Sequence, residues 1–160
     1  MKKWIAMILA VLTVGVIILL YLFIPVKEQI RTELSAVMLN KKTGKVETTT
    51  IEIYGEWSKS RLNGQSPGFQ GRFKVDALQY TWNDDWEQSG EFAAVEGRQY
   101  MQGFLQYKSA EGALEASVLY VNEDRTVYVY YDEDCIVFAP AENEDDAYLI
   151  CRDLGLDYPG

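Results

Sequence analysis

Phe69-Gln70-Gly71-Arg72-Phe73-Lys74-Val75-Asp76 is the stretch that decides the fold. Small or apolar residues alternate with polar ones without a break. Phe69, Gly71, Phe73 and Val75 take one side, and Gln70, Arg72, Lys74 and Asp76 take the other. A period of two belongs to a strand, whose successive side chains point to opposite faces. One dry face and one wet face mark an antiparallel sheet. The pattern spreads outward in both directions. Upstream, Thr48-Thr49-Thr50-Ile51-Glu52-Ile53-Tyr54 is β-branched and alternating, and it follows a hairpin turn at Asn40-Lys41-Lys42-Thr43-Gly44-Lys45. Thr32 to Leu39 then reads as the first strand. Ile30, Leu34, Val37 and Met38 also fit helical spacing, so a longer N-terminal helix stays open here. Downstream, strands are predicted over 99–107, 114–121, 126–131 and 135–138, with Asn122-Glu123-Asp124-Arg125 as a hairpin turn. Ser60 to Gly68 reads as a loop and Asn83-Asp84-Asp85 as a polar turn.

The C-terminus changes character. Asn143 suits a helix cap over 144–153, with Glu144, Asp145 and Asp146 favourable in the first turn. Ala147, Ile150, Cys151 and Leu154 would form its buried stripe, and Gly155 would end it. The expected fold is therefore mainly β: an antiparallel meander of about seven or eight strands closing into a sandwich or a barrel, with a short C-terminal helix.

Ahead of this domain lies a different chemistry. Residues 4–26, WIAMILAVLTVGVIILLYLFIPV, carry no charge. As a helix they would span roughly 35 Å at about 1.5 Å per residue, against a hydrocarbon core about 30 Å thick. Trp4 and Tyr21 lie near the two ends, where amphipathic rings favour the headgroup level, and Pro25 sits at the exit. The apolar run is longer than a signal-peptide core, and no small-residue cleavage site follows it. The reading is a transmembrane signal anchor over 1–26, single-pass, with an extracytoplasmic β-rich domain over 27–160. Lys2 and Lys3 favour a cytoplasmic N-terminus, and a domain of this length translocates largely regardless of its own charge.

Composition excludes several functions. The 160 residues hold no histidine, which removes Ser-His-Asp and Cys-His chemistry and the commonest metal ligand. Two cysteines cannot build a four-thiolate zinc site. A net charge of −9 argues against nucleic acid, whose phosphates need a basic face. The charge is also unevenly spread: residues 27–74 carry nine basic and five acidic side chains, and residues 122–160 carry two basic and eleven acidic ones. P-loop, GxGxxG and GxSxG fingerprints are absent, and no cofactor is implied.

The remaining candidates are few. Cys135 and Cys151 are a disulfide candidate, enclosing 17 residues; such a loop is worth roughly 3 kcal/mol in the chain-entropy estimate. The alternative is two buried thiols acting as small apolar residues. Trp57, Trp82 and Trp86 with Tyr128 and Tyr130 are candidates to line a groove for sugar or peptide, weighed against ordinary core packing. The acidic groups Asp132-Glu133-Asp134 and Glu142 with Glu144-Asp145-Asp146 lack the spacing of a calcium loop and read as solvated. No catalytic residue and no metal ligand is assigned.

The layout resembles uncharacterised small anchored proteins of Gram-positive bacteria. It is carried by the lysine-led anchor, the Gly44 hairpin, Gly55-Glu56-Trp57-Ser58-Lys59 and Phe69-Gln70-Gly71-Arg72-Phe73. The resemblance implies an envelope location and no particular activity. Function is thus expected to be a non-catalytic binding or structural module of the cell envelope, with a protein, peptide or cell-wall partner. The alternative is a histidine-free envelope hydrolase using carboxylates and tyrosines.

Overall fold

The computed structural model describes residues 2–59, 66–82, 88–108 and 114–158, the side chains of 2, 3, 6, 107, 108, 114 and 115 excepted. An N-terminal helix, α1 (Lys2–Phe23), leads into eight strands and a terminal helix. The strands are β1 (Val26–Asn40), β2 (Val46–Lys59), β3 (Gly68–Val75), β4 (Gln88–Ala94), β5 (Tyr100–Lys108), β6 (Leu114–Asn122), β7 (Tyr128–Tyr131) and β8 (Cys135–Ala139); the helix is α2 (Glu144–Leu154). Each strand pairs antiparallel with the next, and β8 returns to β1, closing an up-and-down barrel. Of the two architectures expected, sandwich or barrel, the barrel is the one formed.

Pro25 decides where helix gives way to sheet. It lacks an N–H, and its ring disfavours helical backbone at Ile24. The next residue, Val26, already belongs to β1, so the first strand starts six residues before Thr32 and the helix does not run on. Ile30, Leu34 and Met38 pack against the barrel core, whereas Val37 faces outward. A spacing of four satisfies both periods, which is why the sequence left the choice open. β3 alternates as its residues predict: Phe69, Gly71, Phe73 and Val75 are buried. β4 forms where the sequence pattern predicts no strand. The regions expected as loop at 60–65 and as turn at 83–85 lie outside the described residues.

The barrel interior is filled. Ala36, Ile51, Ile53, Trp57, Phe69, Phe73, Phe92, Leu105, Leu119, Val121, Tyr128, Tyr130 and Val137 form one buried cluster. Eight strands enclose a lumen just wide enough for side chains to fill, and here aromatic rings fill it. A second cluster lies outside the wall, where Ala147, Cys151 and Leu154 of α2 cover Val37, Leu39, Val129, Ile136 and Phe138. Asn143 caps α2, its side chain accepting from the Asp146 N–H at 3.0 Å, and Gly155 ends it at φ 66°.

The up-and-down order gives the barrel two distinct ends. α1, the starts of β1, β3, β5 and β7 and the ends of β2, β4, β6 and β8 all lie at one end, here the proximal end. The ends of β1, β3, β5 and β7 and the starts of β2, β4, β6 and β8 lie at the other, distal end. α1 makes no substantial packing with any other described element. Its large apolar side chains from Trp4 to Phe23, Leu22 excepted, are between 53% and 69% exposed wherever they are described. Among the described residues no helix is long and apolar enough to cross a membrane. The described side chains of α1 run unbroken only over 7–23, short of the roughly 20 residues a span needs.

Candidate functional site

The aromatic candidates separate by strand parity. Trp57, Tyr128 and Tyr130 point into the barrel and are at most 3% exposed. They are core, not groove, and that expectation is corrected. Trp57 packs at 4.8 Å from Phe92 and 5.3 Å from Phe69, ring centre to ring centre. Trp86 lies outside the described residues. Of the described candidates, Trp82 alone stands on the surface, 43% exposed.

Trp82 closes one side of a groove of about 880 Å³ on the outer face of β1, β2 and β3. The antiparallel register builds this face in cross-strand rows. Arg31, Tyr54 and Arg72 stand side by side in one row, and Glu33, Glu52 and Lys74 in the next. Tyr54 is 59% exposed and has an arginine on either flank. Glu33 sits directly opposite Glu52, a like-charge pair that costs stability on its own. Lys74 offsets it from the far side, with Nζ 3.3 Å from Glu52 and 3.2 Å from Asp76. The hydrogen bond to Asp76, then that to Glu52, raises the Lys74 pKa, so the ammonium stays charged. Its Nζ also lies 4.6 Å from the centre of the Trp82 ring, a cation–π contact.

Side chains do the work of a strand along the distal half of β3. There β4 has fallen away, since their pairing runs only over Gly68–Gly71. The Phe73 N–H donates to Gln88 Oε1 at 2.9 Å, and the Val75 N–H to Thr81 Oγ1 at 2.9 Å. Trp82 Nε1 donates to the Val75 carbonyl at 2.9 Å, which fixes the indole at the rim of the groove. Thr81 and Gln88 are both buried, so the backbone polar groups of this edge are satisfied without water. The result is a rigid surface of cations, carboxylates and two exposed rings. It can hydrogen-bond, pair charge and stack, and among the described residues it brings no nucleophile beside a base.

A second polar cluster closes the distal end of the barrel. Tyr80 Oη donates to Asp132 Oδ2, Tyr130 Oη donates to Ser117 Oγ at 2.9 Å, and Ser117 Oγ donates to Asp132 Oδ1 at 3.5 Å. Burial, then the neighbouring Tyr130 and Asp132, pushes the Tyr80 phenol up. Cys135 borders this cluster. Burial first, then Asp132, pushes its thiol up to about 11, so it is not a thiolate at neutral pH.

Cys135 and Cys151 are both buried and both free, so the candidate disulfide is not formed. Strand parity gives the reason. Val137 and Ala139 face the interior, and Cys135 shares their side; Ile136 and Phe138 face outward, under the helix that carries Cys151. The wall of the barrel stands between the two thiols, and a bridge needs their Cα atoms within about 7 Å with facing Cβ vectors. Among the described residues no group of three or more cysteines or carboxylates gathers to hold a metal ion.

The chain matches no family model, no curated protein and no solved structure.

Proposed function

We propose that this is a single-pass, signal-anchored protein of the cell envelope, with its N-terminus cytoplasmic and its barrel extracytoplasmic, acting as a non-catalytic binding or structural module. The observation that carries the reading is α1. Its described large apolar side chains, Leu22 excepted, are exposed around the helix, and among the described elements none packs substantially against it. An apolar surface of that extent is costly in water and favourable in hydrocarbon. With the uncharged residues 4–26 taken together, the stretch is long enough to enter the bilayer as a membrane partner. The packed interior supports the rest: the described inward side chains form one buried cluster, which favours recognition on the outer face, where Tyr54, Trp82, Arg31, Arg72 and Lys74 meet a protein, peptide or cell-wall partner.

Fractionation tests the anchor. Full-length protein is expected in the membrane pellet after ultracentrifugation, released by detergent and not by alkaline carbonate. Intact chain in the detergent-free supernatant, or an N-terminally shortened chain, refutes it. Orientation is read separately with Thr43→Cys at the exposed β1–β2 turn, both native thiols being buried. A membrane-impermeant maleimide should label it on intact cells, and labelling only after lysis reverses the assigned topology.

A further inference from the structure

The groove at Trp82 does not end at Tyr54 and Arg72. Both also line a second hollow, of about 360 Å³, and Glu56 and Gln70 carry that hollow into a third, of about 590 Å³, which reaches Phe104 and Gln106. Register explains the continuity. Gln29, Glu56, Gln70, Ser89 and Gln106 are cross-strand partners in turn from β1 to β5, one uninterrupted row. Strands about 4.8 Å apart make it roughly 19 Å long. Glu56 is partly buried and the other four are exposed. Lys27 Nζ sits 2.5 Å from the Glu56 carboxylate, which neutralises the one charge in the row. Tyr54 precedes Glu56 by two residues on β2, and Phe104 precedes Gln106 by two on β5, so both share the outer face. β2 and β5 run in opposite senses, which places one ring on each side of the row, 59% and 55% exposed.

Amides and hydroxyls present donors and acceptors together, and the hydroxyls of a sugar answer with both. The rings beside the row give the apolar face of a sugar something flat to stack on. A peptide fits less well. Extended peptides commonly bind by adding a strand through main-chain hydrogen bonds. Across this row β2, β3 and β4 lie inside the sheet, each laddered on both sides. Where β4 leaves β3, Gln88, Thr81 and Trp82 already take the Phe73 N–H, the Val75 N–H and the Val75 carbonyl. Beside the row, Arg31 and Arg72 flank Tyr54, a basic spot in a chain of net charge −9. The planar guanidinium fork matches a carboxylate. We infer that the outer face of β1 to β5 binds an extended saccharide that carries carboxylate groups. Its sugar rings stack on Tyr54 and Phe104, its hydroxyls bond along the glutamine-rich row, and a carboxylate sits at Arg31 and Arg72. This rests on the outer face being the recognition surface, as proposed above, and does not depend on α1 lying in lipid.

Calorimetric titration of the full chain in detergent micelles tests this, with far-UV circular dichroism as the check on folding. An oligomer of galacturonic acid is expected to bind. Its methyl ester, which keeps the sugar rings and removes the charge, should bind about tenfold more weakly. Arg31→Gln should narrow that difference to about threefold and leave the ester's affinity unchanged. Tyr54→Ala and Phe104→Ala should each weaken acid and ester alike, by about tenfold. An acid oligomer that does not bind, an ester that binds equally well, an Arg31→Gln variant that keeps the full preference, or a polyglutamate of the same charge that binds as tightly overturns the inference. Polyglutamate binding that is lost in Tyr54→Ala would keep the outer face as the recognition surface and strike only the saccharide. Saccharide binding that survives both Tyr54→Ala and Phe104→Ala would place recognition elsewhere and strike both readings.

Discussion

Gly55 and Gly71 face each other across β2 and β3. A Cβ built on Gly71 would lie 2.5 Å from the Gly55 Cα, and one on Gly55 would lie 2.7 Å from the Gly71 Cα. Backbone, not a flexible side chain, is in the way, and Gly71 has φ +159°. The close approach lets the two strands curl round the aromatic core. Gly71→Ala is therefore expected to destabilise the protein by about 3 kcal/mol, at the upper end of overpacking costs, read as the urea midpoint of the full chain. Trp57 carries the opposite expectation. Among the described residues its buried Nε1 has no hydrogen-bond partner. Removing an unsatisfied donor recovers part of its desolvation cost. Trp57→Phe should thus change stability by under about 1.5 kcal/mol, where ordinary truncation of a large core aromatic costs about 3–5. A loss in that larger range would mean the indole N–H is satisfied in solution.

At the scale of elements, α2 is held by its caps as much as by its stripe. Asn143→Ala removes the acceptor for the Asp146 N–H and should cost about 1 kcal/mol. Because α2 covers the outside of β7 and β8, the same variant should speed amide exchange in those strands, which a mass-spectrometric exchange experiment resolves. This helix was legible in the sequence down to its capping residues, because caps are local chemistry. β3 was legible for the same reason: its alternation needs no partner to be recognised. β4 was not. Gln88-Ser89-Gly90-Glu91-Phe92-Ala93-Ala94 has one large apolar residue and no β-branched one. It is a strand because β3 and β5 on either side leave it no other place. The candidate groove was legible only in Trp82. The Arg31–Tyr54–Arg72 row depends on register between residues far apart in the chain, and a one-residue slip of any one strand would turn its member of the row inward. Trp57 and Tyr128 looked equally suited to a groove, since parity relative to the closed wall, not residue type, sends them inside.

For the whole molecule, the lack of histidine and the burial of thiols and phenols set the response to pH. Burial pushes Cys135 and Cys151 up to about 11. It pushes Tyr128, Tyr131 and Tyr158 up to about 12, and raises Tyr80 and Tyr120 as well. In each case the folded state prefers the protonated, neutral form. The unfolded chain releases these protons first, as pH passes the ordinary thiol and phenol values near 9 and 10. Between there and about 12 the unfolded state binds fewer protons than the folded one, so stability falls as pH rises. Thermal midpoints should accordingly fall through pH 9 to 12. With no histidine in the chain, no fall from an imidazole is expected between pH 6 and 8. An unfolding transition in that neutral window would contradict the assignment.

Only Ile24 and Pro25 separate the end of α1 from the start of β1. A tug on the helix is therefore delivered straight along the strand, with almost no slack to absorb it. β1 is bonded to β2 along nearly its whole length and to β8 at its distal part. Tension applied from α1 strains those rungs together in shear, instead of peeling them open one at a time. The barrel is thus built to resist being dragged by its N-terminal handle, and single-molecule pulling from that end should meet far greater resistance than pulling from the two ends of the β7–β8 hairpin.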